Sequence, residues 1–275
     1  MGQKALVIDV TKCTACFNCF VACKDEFAGQ SWLPYSAAQP DSGQAWMQIE
    51  EIERGQFPHV KCTFVPQPCM LCRDPLCMKA VKDGSVYKRD DGIVVIDPVK
   101  SKGQKKIVQA CPYHRIYWNE ELKIPQKCDF CVHLLEKGWQ EPRCVEACPA
   151  RVFTFGDTDE LSGLIAKAEP LHPEYKTRPA VYYIGLPKHF ISGSIFNADT
   201  KDCLENVEIK LTDQHTGNTF STGTNNYGDF EFDGLDAGSN FHLIVTARGY
   251  LTVTLSEIKL QKSVHLGNMY LNKDK

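Results

Sequence analysis

The feature that most constrains this chain is a run of four closely spaced cysteines near its start. The spacing is C-x2-C-x2-C-x3-C, formed by Cys13, Cys16, Cys19 and Cys23. Three thiolates at this spacing let one loop wrap around a four-iron cubane, and the fourth, one helical turn further on, points to a second cluster. A zinc site closes with four ligands from one or two C-x2-C pairs, so it has no use for such a run. The run therefore predicts [4Fe-4S] clusters.

A second group of cysteines completes the first run. Between residues 128 and 149 the spacing is C-x2-C-x12-C-x3-C-P. In a two-cluster run, the distal cysteine that precedes the proline binds the cluster of the other half. This crossed rule predicts two sets of four cysteine ligands, set 1 for cluster 1 and set 2 for cluster 2. Set 1 is Cys13, Cys16, Cys19 and Cys148, and set 2 is Cys128, Cys131, Cys144 and Cys23.

The middle of the sequence supplies a third set. Cys69, Cys72 and Cys77 follow the spacing C-x2-C-x4-C, and no distal cysteine stands at position 81. Cys111 precedes Pro112, as a distal ligand should, but has no cysteines at the expected spacing before it. Because the crossed rule takes the distal ligand from the other half, Cys111 completes set 3, for cluster 3, with the three middle cysteines.

Four positions mark a cluster that is missing. A full four-cluster layout would need cysteines at 81, 101, 104 and 107, which hold Val81, Ser101, Gln104 and Ile107. By the crossed rule all four would serve one cluster, so a whole cluster has been deleted and three remain intact. Twelve of the fourteen cysteines are then assigned, which leaves Cys62 and Cys203. For both we expect the role of a small buried hydrophobe without a ligand or redox function.

Composition excludes several classes of protein. The formal net charge is -3 and the pI about 6.2, whereas a nucleic-acid partner calls for a clustered basic excess. The apolar runs reach about five residues, and a membrane-spanning helix needs roughly 20. The first residues, MGQKALVIDVTKC, contain no apolar signal core and no twin arginine, so a cytoplasmic location is expected. Export on a partner's signal stays open. A reducing compartment and the tight spacings favour metal ligation over disulfides.

The end of the sequence has a different character. From residue 190 onward, alternating stretches such as VEIKL, FEF and FHLIV are separated by Gly, Asn and Asp turns at intervals of about ten residues. This pattern predicts an antiparallel β-sandwich. The segment TNNYGDFEFDGLDAG resembles carboxypeptidase regulatory-like and collagen-binding B-type modules, which implies a transthyretin-like or immunoglobulin-like fold. Residues 161–189 are predicted to form a helix and a proline-punctuated linker.

Residues 1–160 resemble the iron–sulfur subunits of dimethyl sulfoxide reductase-type molybdenum enzymes. The resemblance rests on the cysteine runs together with VIDVTKC before the first and KCDFC, CVEACP and FGD around the last. It implies two fused bacterial ferredoxin modules, normally with four cubanes, that relay electrons for a separate large subunit holding bis(molybdopterin guanine dinucleotide). This sequence departs from that pattern by having ligands for three clusters. The expected fold class is α+β, with a double ferredoxin-like domain over 1–160 and the sandwich over 190–275.

The leading hypothesis is an electron-transfer subunit of a heterodimeric molybdenum oxidoreductase. No Ser/His/Asp set, phosphate-binding glycine loop or paired-carboxylate signature stands out, so substrate chemistry is expected on the partner subunit. Two alternatives remain open. The protein could serve a reductase of a sulfoxide or polysulfide, or its clusters could chiefly hold together a loop-rich interaction subunit.

Overall fold

A computed structural model describes residues 2–274, which divide into two compact units. The first unit comprises the chain up to Glu51 and Thr63–Leu186. The second comprises Ile52–Cys62 and the chain from Pro187 onward. The predicted linker over 161–189 is thus grouped with the first unit up to Leu186. The inclusion of Ile52–Cys62 in the second unit has no counterpart in the sequence patterns.

The first unit is built from short elements joined by long loops. Its strands are β1 (Lys4–Asp9), β4 (Val86–Lys88), β5 (Val94–Ile96), β6 (Tyr117–Asn119), β7 (Ile124–Gln126), β8 (Phe153–Asp157) and β9 (Val181–Ile184). Its α-helices are α1 (Asn18–Phe27), α2 (Leu76–Lys79), α3 (Lys106–Gln109), α4 (Val132–Glu136), α5 (Arg143–Glu146) and α6 (Ser162–Ile165), with 3-10 turns at Val10–Lys12 and Pro173–Tyr175. The hairpin of β2 (Gln48–Gln56) and β3 (His59–Gln67) contributes its tip to the second unit.

The strand before the first cysteine run is the centre of a three-stranded sheet. β1 pairs antiparallel with β8 and parallel with β9. Residues 5–8 of β1 are buried, as expected of an apolar strand with neighbours on both edges. Ala5 and Val7 pack with Leu161. Because β1 leads into the first cysteine run and β8 follows the last, the sheet holds the two ends of the cysteine-rich segment together.

The second unit is a two-sheet sandwich. Its strands are β10 (His189–Asn197), β11 (Glu208–Asp213), β12 (Thr219–Gly223), β13 (Asp229–Leu235), β14 (Asn240–Thr246), β15 (Val253–Lys259) and β16 (Val264–Leu271). The sheet orders are β13-β10-β16 and β12-β11-β14-β15. Along β11, Ile209 and Leu211 are buried while Glu208 and Lys210 are exposed, which confirms the predicted alternation. The strand pairs described in the sandwich are antiparallel except β10 with β16, which are parallel.

The predicted α+β class is confirmed. Each unit has its own buried residues, and the sandwich core includes Ile195, Phe241 and Leu243. Between residues 2 and 274, none of the helices combines the length and the apolar character needed to span a bilayer.

Candidate iron–sulfur centres

The four cysteines of set 3 line one cavity in the first unit. Its walls include Cys69, Cys72, Cys77 and Cys111. The rest of the lining is mainly apolar, with Val94 among its residues. Four thiols that converge on one largely apolar cavity have the chemistry and the arrangement that a cubane requires. The separate cysteine that the crossed rule assigned to this set is therefore beside its three predicted partners.

Burial and mutual repulsion dominate the electrostatics of set 3. Burial, followed by the negative charge of Cys69, raises the pKa of Cys72 to about 12. Burial likewise raises the pKa of Cys77 to about 11, although the charge of Lys127 opposes the shift. Without iron these groups are neutral thiols at physiological pH. Because metal ligation deprotonates a thiol outright, cluster loading must release protons.

Set 1 lies nearest the surface. Cys16 is exposed, Cys13 and Cys148 are partly buried, and Cys19 is buried at the start of α1. Burial, then the charges of Cys148, Cys13 and Cys16, raises the pKa of Cys19 to about 12. The charge of Cys148 contributes to the raised pKa of both Cys13 and Cys19, so the distal cysteine is a neighbour of the first run.

Set 2 is the most deeply buried. All four of its cysteines are buried, and α1 packs against α5, which carries Cys144. Burial and then the charges of Cys128 and Cys131 hold the pKa of Cys23 well above its usual range. Cys19 and Cys23 stand one helical turn apart on α1, so a single helix supplies ligands to two sets.

Set 2 has neighbours in both other sets. The charge of Cys19, in set 1, contributes to the raised pKa of Cys144, in set 2. The charge of Cys69, in set 3, contributes to that of Cys128, in set 2.

Three of the four C-x2-C loops share an unusual backbone feature. The residue before the second cysteine has positive φ in these three loops: Ala15 (53°), Leu71 (43°) and Phe130 (57°). Left-handed backbone costs a non-glycine residue roughly 1–2 kcal/mol. The three loops therefore each hold one strained residue directly before a cysteine.

The two Cys-Pro ligands repeat a second feature. His114 and Arg151, each three residues after its cysteine, have φ of 54° and 50°. The following amides then donate to sulfur: Arg115 N to Cys111 Sγ and Val152 N to Cys148 Sγ, both at 3.4 Å. Hydrogen bonds to cluster sulfurs favour the reduced state, because they offset the added negative charge.

Side chains occupy the positions of the missing cluster. Val81, Ser101 and Ile107 are buried. Gln104 Nε2 donates to Asp83 Oδ2 at 2.7 Å, which holds the 101–107 loop against the segment after Val81. The two segments to which the sequence assigns the missing cluster are therefore neighbours, and three of the four positions carry buried side chains.

The expectation that Cys62 and Cys203 are buried is wrong. Both are exposed. Cys62 lies on β3, where residues 59–62 alternate between partly buried and exposed positions. Cys203 lies in the loop after β10, paired by a single bridge to Phe196. Neither belongs to one of the three sets.

Two residues near set 3 were not among the predicted site residues. Thr177 is buried, hydrogen-bonds to Cys72, and lies 2.8 Å from Tyr113 Oη through its Oγ1. Lys127 is buried and lines the cavity of set 3. Thr177 carries no local signal, because it lies in the linker. The charge of Lys127 directly before the C-x2-C of Cys128 is a local signal that could have indicated a role.

No site for a lone ion accompanies these sets. Within residues 2–274, no three His, Cys, Asp or Glu side chains lie close enough together to hold a single metal ion.

Two known domain families match this sequence. Residues 60–158 match the 4Fe-4S dicluster domain, and residues 191–267 match the carboxypeptidase regulatory-like domain. The first match spans sets 2 and 3 apart from Cys23, and the second lies within the sandwich.

Three curated proteins are similar over most of their own length. The pyrogallol hydroxytransferase small subunit of Pelobacter acidigallici is 40% identical over 252 residues, which cover 86% of this chain and 89% of that protein. The sulfite dehydrogenase of Allochromatium vinosum has a subunit that is 32% identical, with 67% of this chain and 83% of that subunit covered. The anaerobic dimethyl sulfoxide reductase of Escherichia coli has one that is 33% identical, with 65% and 87% covered.

Proposed function

Because this protein belongs to the iron–sulfur subunits of dimethyl sulfoxide reductase-type molybdenum enzymes, we propose that it carries three [4Fe-4S] clusters for a molybdopterin-dependent catalytic subunit. The observation that carries this proposal is the convergence of all four set 3 cysteines on one cavity. When bound, each cluster takes up and releases one electron. The thiolates hold the clusters, and the two N–H···S hydrogen bonds favour added negative charge at sets 1 and 3.

We propose that the complex is a pyrogallol–phloroglucinol transhydroxylase. Support comes from the 40% identity to a pyrogallol hydroxytransferase small subunit, which extends over both units. Moving a hydroxyl group between polyhydroxybenzenes involves no net oxidation. A three-cluster relay suits such a reaction, since the clusters need only adjust the redox state of the molybdenum centre and no steady electron flux has to leave.

The proposal includes a partner and a location. The catalytic partner is a large subunit that binds bis(molybdopterin guanine dinucleotide), and the two subunits form a heterodimer in the cytoplasm. In this proposal the substrate chemistry belongs to the partner.

Copurification tests the proposed function. The protein, tagged and purified anaerobically from its own cells, should bring down a large subunit with bound molybdenum that converts pyrogallol. A large subunit that instead reduces a sulfoxide or polysulfide would support the second candidate, a relay for another molybdenum reductase. That candidate is favoured by the similarity to the dimethyl sulfoxide reductase of Escherichia coli.

Redox titration separates relay from purely structural clusters. If the clusters relay electrons, their electron paramagnetic resonance signals should appear reversibly as the potential is lowered. Clusters that resist reduction at every accessible potential would contradict the relay and favour an interaction subunit held together by its clusters.

A further inference from the structure

A buried lysine lies at the junction of two cluster sets. Lys127 is 4% exposed and directly precedes Cys128 of set 2. Its Nζ donates to the carbonyl oxygen of Cys128 at 3.0 Å and also to that of Val94, on β5. The same side chain lines the cavity of set 3. Lys127 therefore touches the surroundings of two clusters at once.

The hydrogen bonds of Lys127 do not neutralise its charge. Within residues 2–274, no carboxylate lies within ion-pair distance of its Nζ, and both acceptors described are carbonyl oxygens. Asp129, two residues away, accepts instead from the N–H of Cys131 at 2.9 Å, and burial raises the pKa of Asp129. A buried ammonium without a counter-charge is very costly. Asp129 and Lys127 therefore act on each other through their charges without forming an ion pair.

When the clusters are bound, the cysteine thiolates of both sets add negative charge beside Lys127. Its side chain lines the cavity that Cys69 and Cys77 also line, and its Nζ donates to the carbonyl oxygen of Cys128. The first two belong to set 3 and the third to set 2. No cysteine of set 1 lines that cavity. The positive charge thus acts on two of the three clusters.

We propose that Lys127 is a positioning residue whose buried positive charge raises the reduction potentials of clusters 2 and 3 and leaves that of cluster 1 unchanged. The proposal rests on the three-cluster function above. Reduction adds one negative charge to a cluster, and a nearby fixed positive charge in a low-dielectric interior stabilises the reduced form. An added electron is therefore favoured on clusters 2 and 3 over cluster 1, whose ligands are partly exposed.

Redox titration of the intact complex tests the inference. K127Q removes the charge but retains an N–H donor for the carbonyls of Val94 and Cys128. We expect the reduction potentials of clusters 2 and 3 to become more negative and that of cluster 1 to stay unchanged. K127R, which keeps the charge, should restore the wild-type values. K167M serves as the matched control, because it removes a lysine charge from an exposed position outside the sets and should move no potential.

Cluster content separates the two proposals. Wild-type protein without clusters would overturn the proposed function itself. If fully loaded K127Q keeps the three wild-type potentials, or if all three potentials shift equally, only the proposed role of Lys127 is overturned. A lowered melting temperature as the sole change would then show that Lys127 stabilises the fold. K127M is a second neutral variant if K127Q fails to assemble. If neither assembles, K127R decides, because a shift of cluster 2 or 3 with the charge retained would contradict the inference.

Discussion

At the scale of single residues, the cluster sites depend on backbone conformations that their side chains do not favour. Leu71 and Phe130 are buried with positive φ between paired cysteines, and exposed Arg151 takes the same conformation after Cys148. Cysteine spacing predicted which thiols belong together, because each C-x2-C loop and each Cys-Pro is a local signal. It could not predict Thr177, which lines the cavity of set 3 from a distant part of the sequence, whereas the charge of Lys127 directly before Cys128 is a local signal.

The assignment of Cys111 to set 3 predicts a selective mutant. In C111S, cluster 3 should be lost or altered alone, because the serine hydroxyl is a poor substitute for a thiolate. Electron paramagnetic resonance and iron analysis of the purified complex measure the effect. C203S, at an exposed cysteine outside the sets, is the control and should keep wild-type iron. Unchanged cluster 3 signals in C111S would show that the crossed pairing is wrong.

Arg151 offers a test of the backbone strain. R151G should raise the stability of the loaded protein by up to about 1 kcal/mol, because glycine adopts positive φ without the steric cost that arginine incurs. The apparent melting temperature, measured anaerobically, gives the result. R151A keeps the backbone strain and removes the exposed arginine side chain. It therefore separates the effect of relieving the strain from the effect of losing the side chain. A melting temperature of R151G at or below that of R151A would count against strain at this turn.

At the scale of elements, the β2–β3 hairpin tip joins the second unit through charged side chains. His59 Nε2 lies 2.8 Å from Glu231 Oε2, and Lys61 Nζ forms an ion pair with Asp233 at 2.8 Å. The paired residues His59 and Glu231 are 172 positions apart in the sequence. No local pattern could predict such contacts, whereas the apolar alternation of β11 made the sandwich itself predictable.

The histidines of this region predict a pH dependence. Burial and then the charge of His59 hold the pKa of His265 below 6.5, although Asp229 opposes the shift, and Ser192 Oγ lies 3.1 Å from its Nδ1. As pH falls below 6.5, the unfolded state therefore binds the proton before the native state does. The stability that this histidine contributes is present above its usual pKa and is lost on acidification.

Hydrogen exchange can measure this loss locally. Protection of the β10 and β16 amides should be weaker at about pH 5.5 than at about pH 7.5 after correction for intrinsic exchange, and H265Q should reduce the difference. H215Q, at an exposed histidine in the turn after β11, should behave as wild type. Equal pH dependence in H265Q and wild type would exclude His265 as the source.

At the scale of the whole molecule, set 2 has neighbours in both other sets. The helix α1 carries cysteines of sets 1 and 2, and the charge of Cys69 contributes to the raised pKa of Cys128. The ligand sets and the missing cluster are predictions that rest on cysteine spacing alone. The burial of side chains such as Val81 and Ile107 at the positions without cysteine was not predictable, since packing is decided by the folded structure.

Iron and acid-labile sulfide analysis of the anaerobically purified complex tests the central claim most directly. Three [4Fe-4S] clusters require about twelve iron and about twelve sulfide per copy of this protein, after subtraction of any iron held by the catalytic partner. About sixteen of each would mean that non-cysteine ligands hold a fourth cluster at 81, 101, 104 and 107. Stoichiometric zinc without sulfide would contradict the iron–sulfur account altogether.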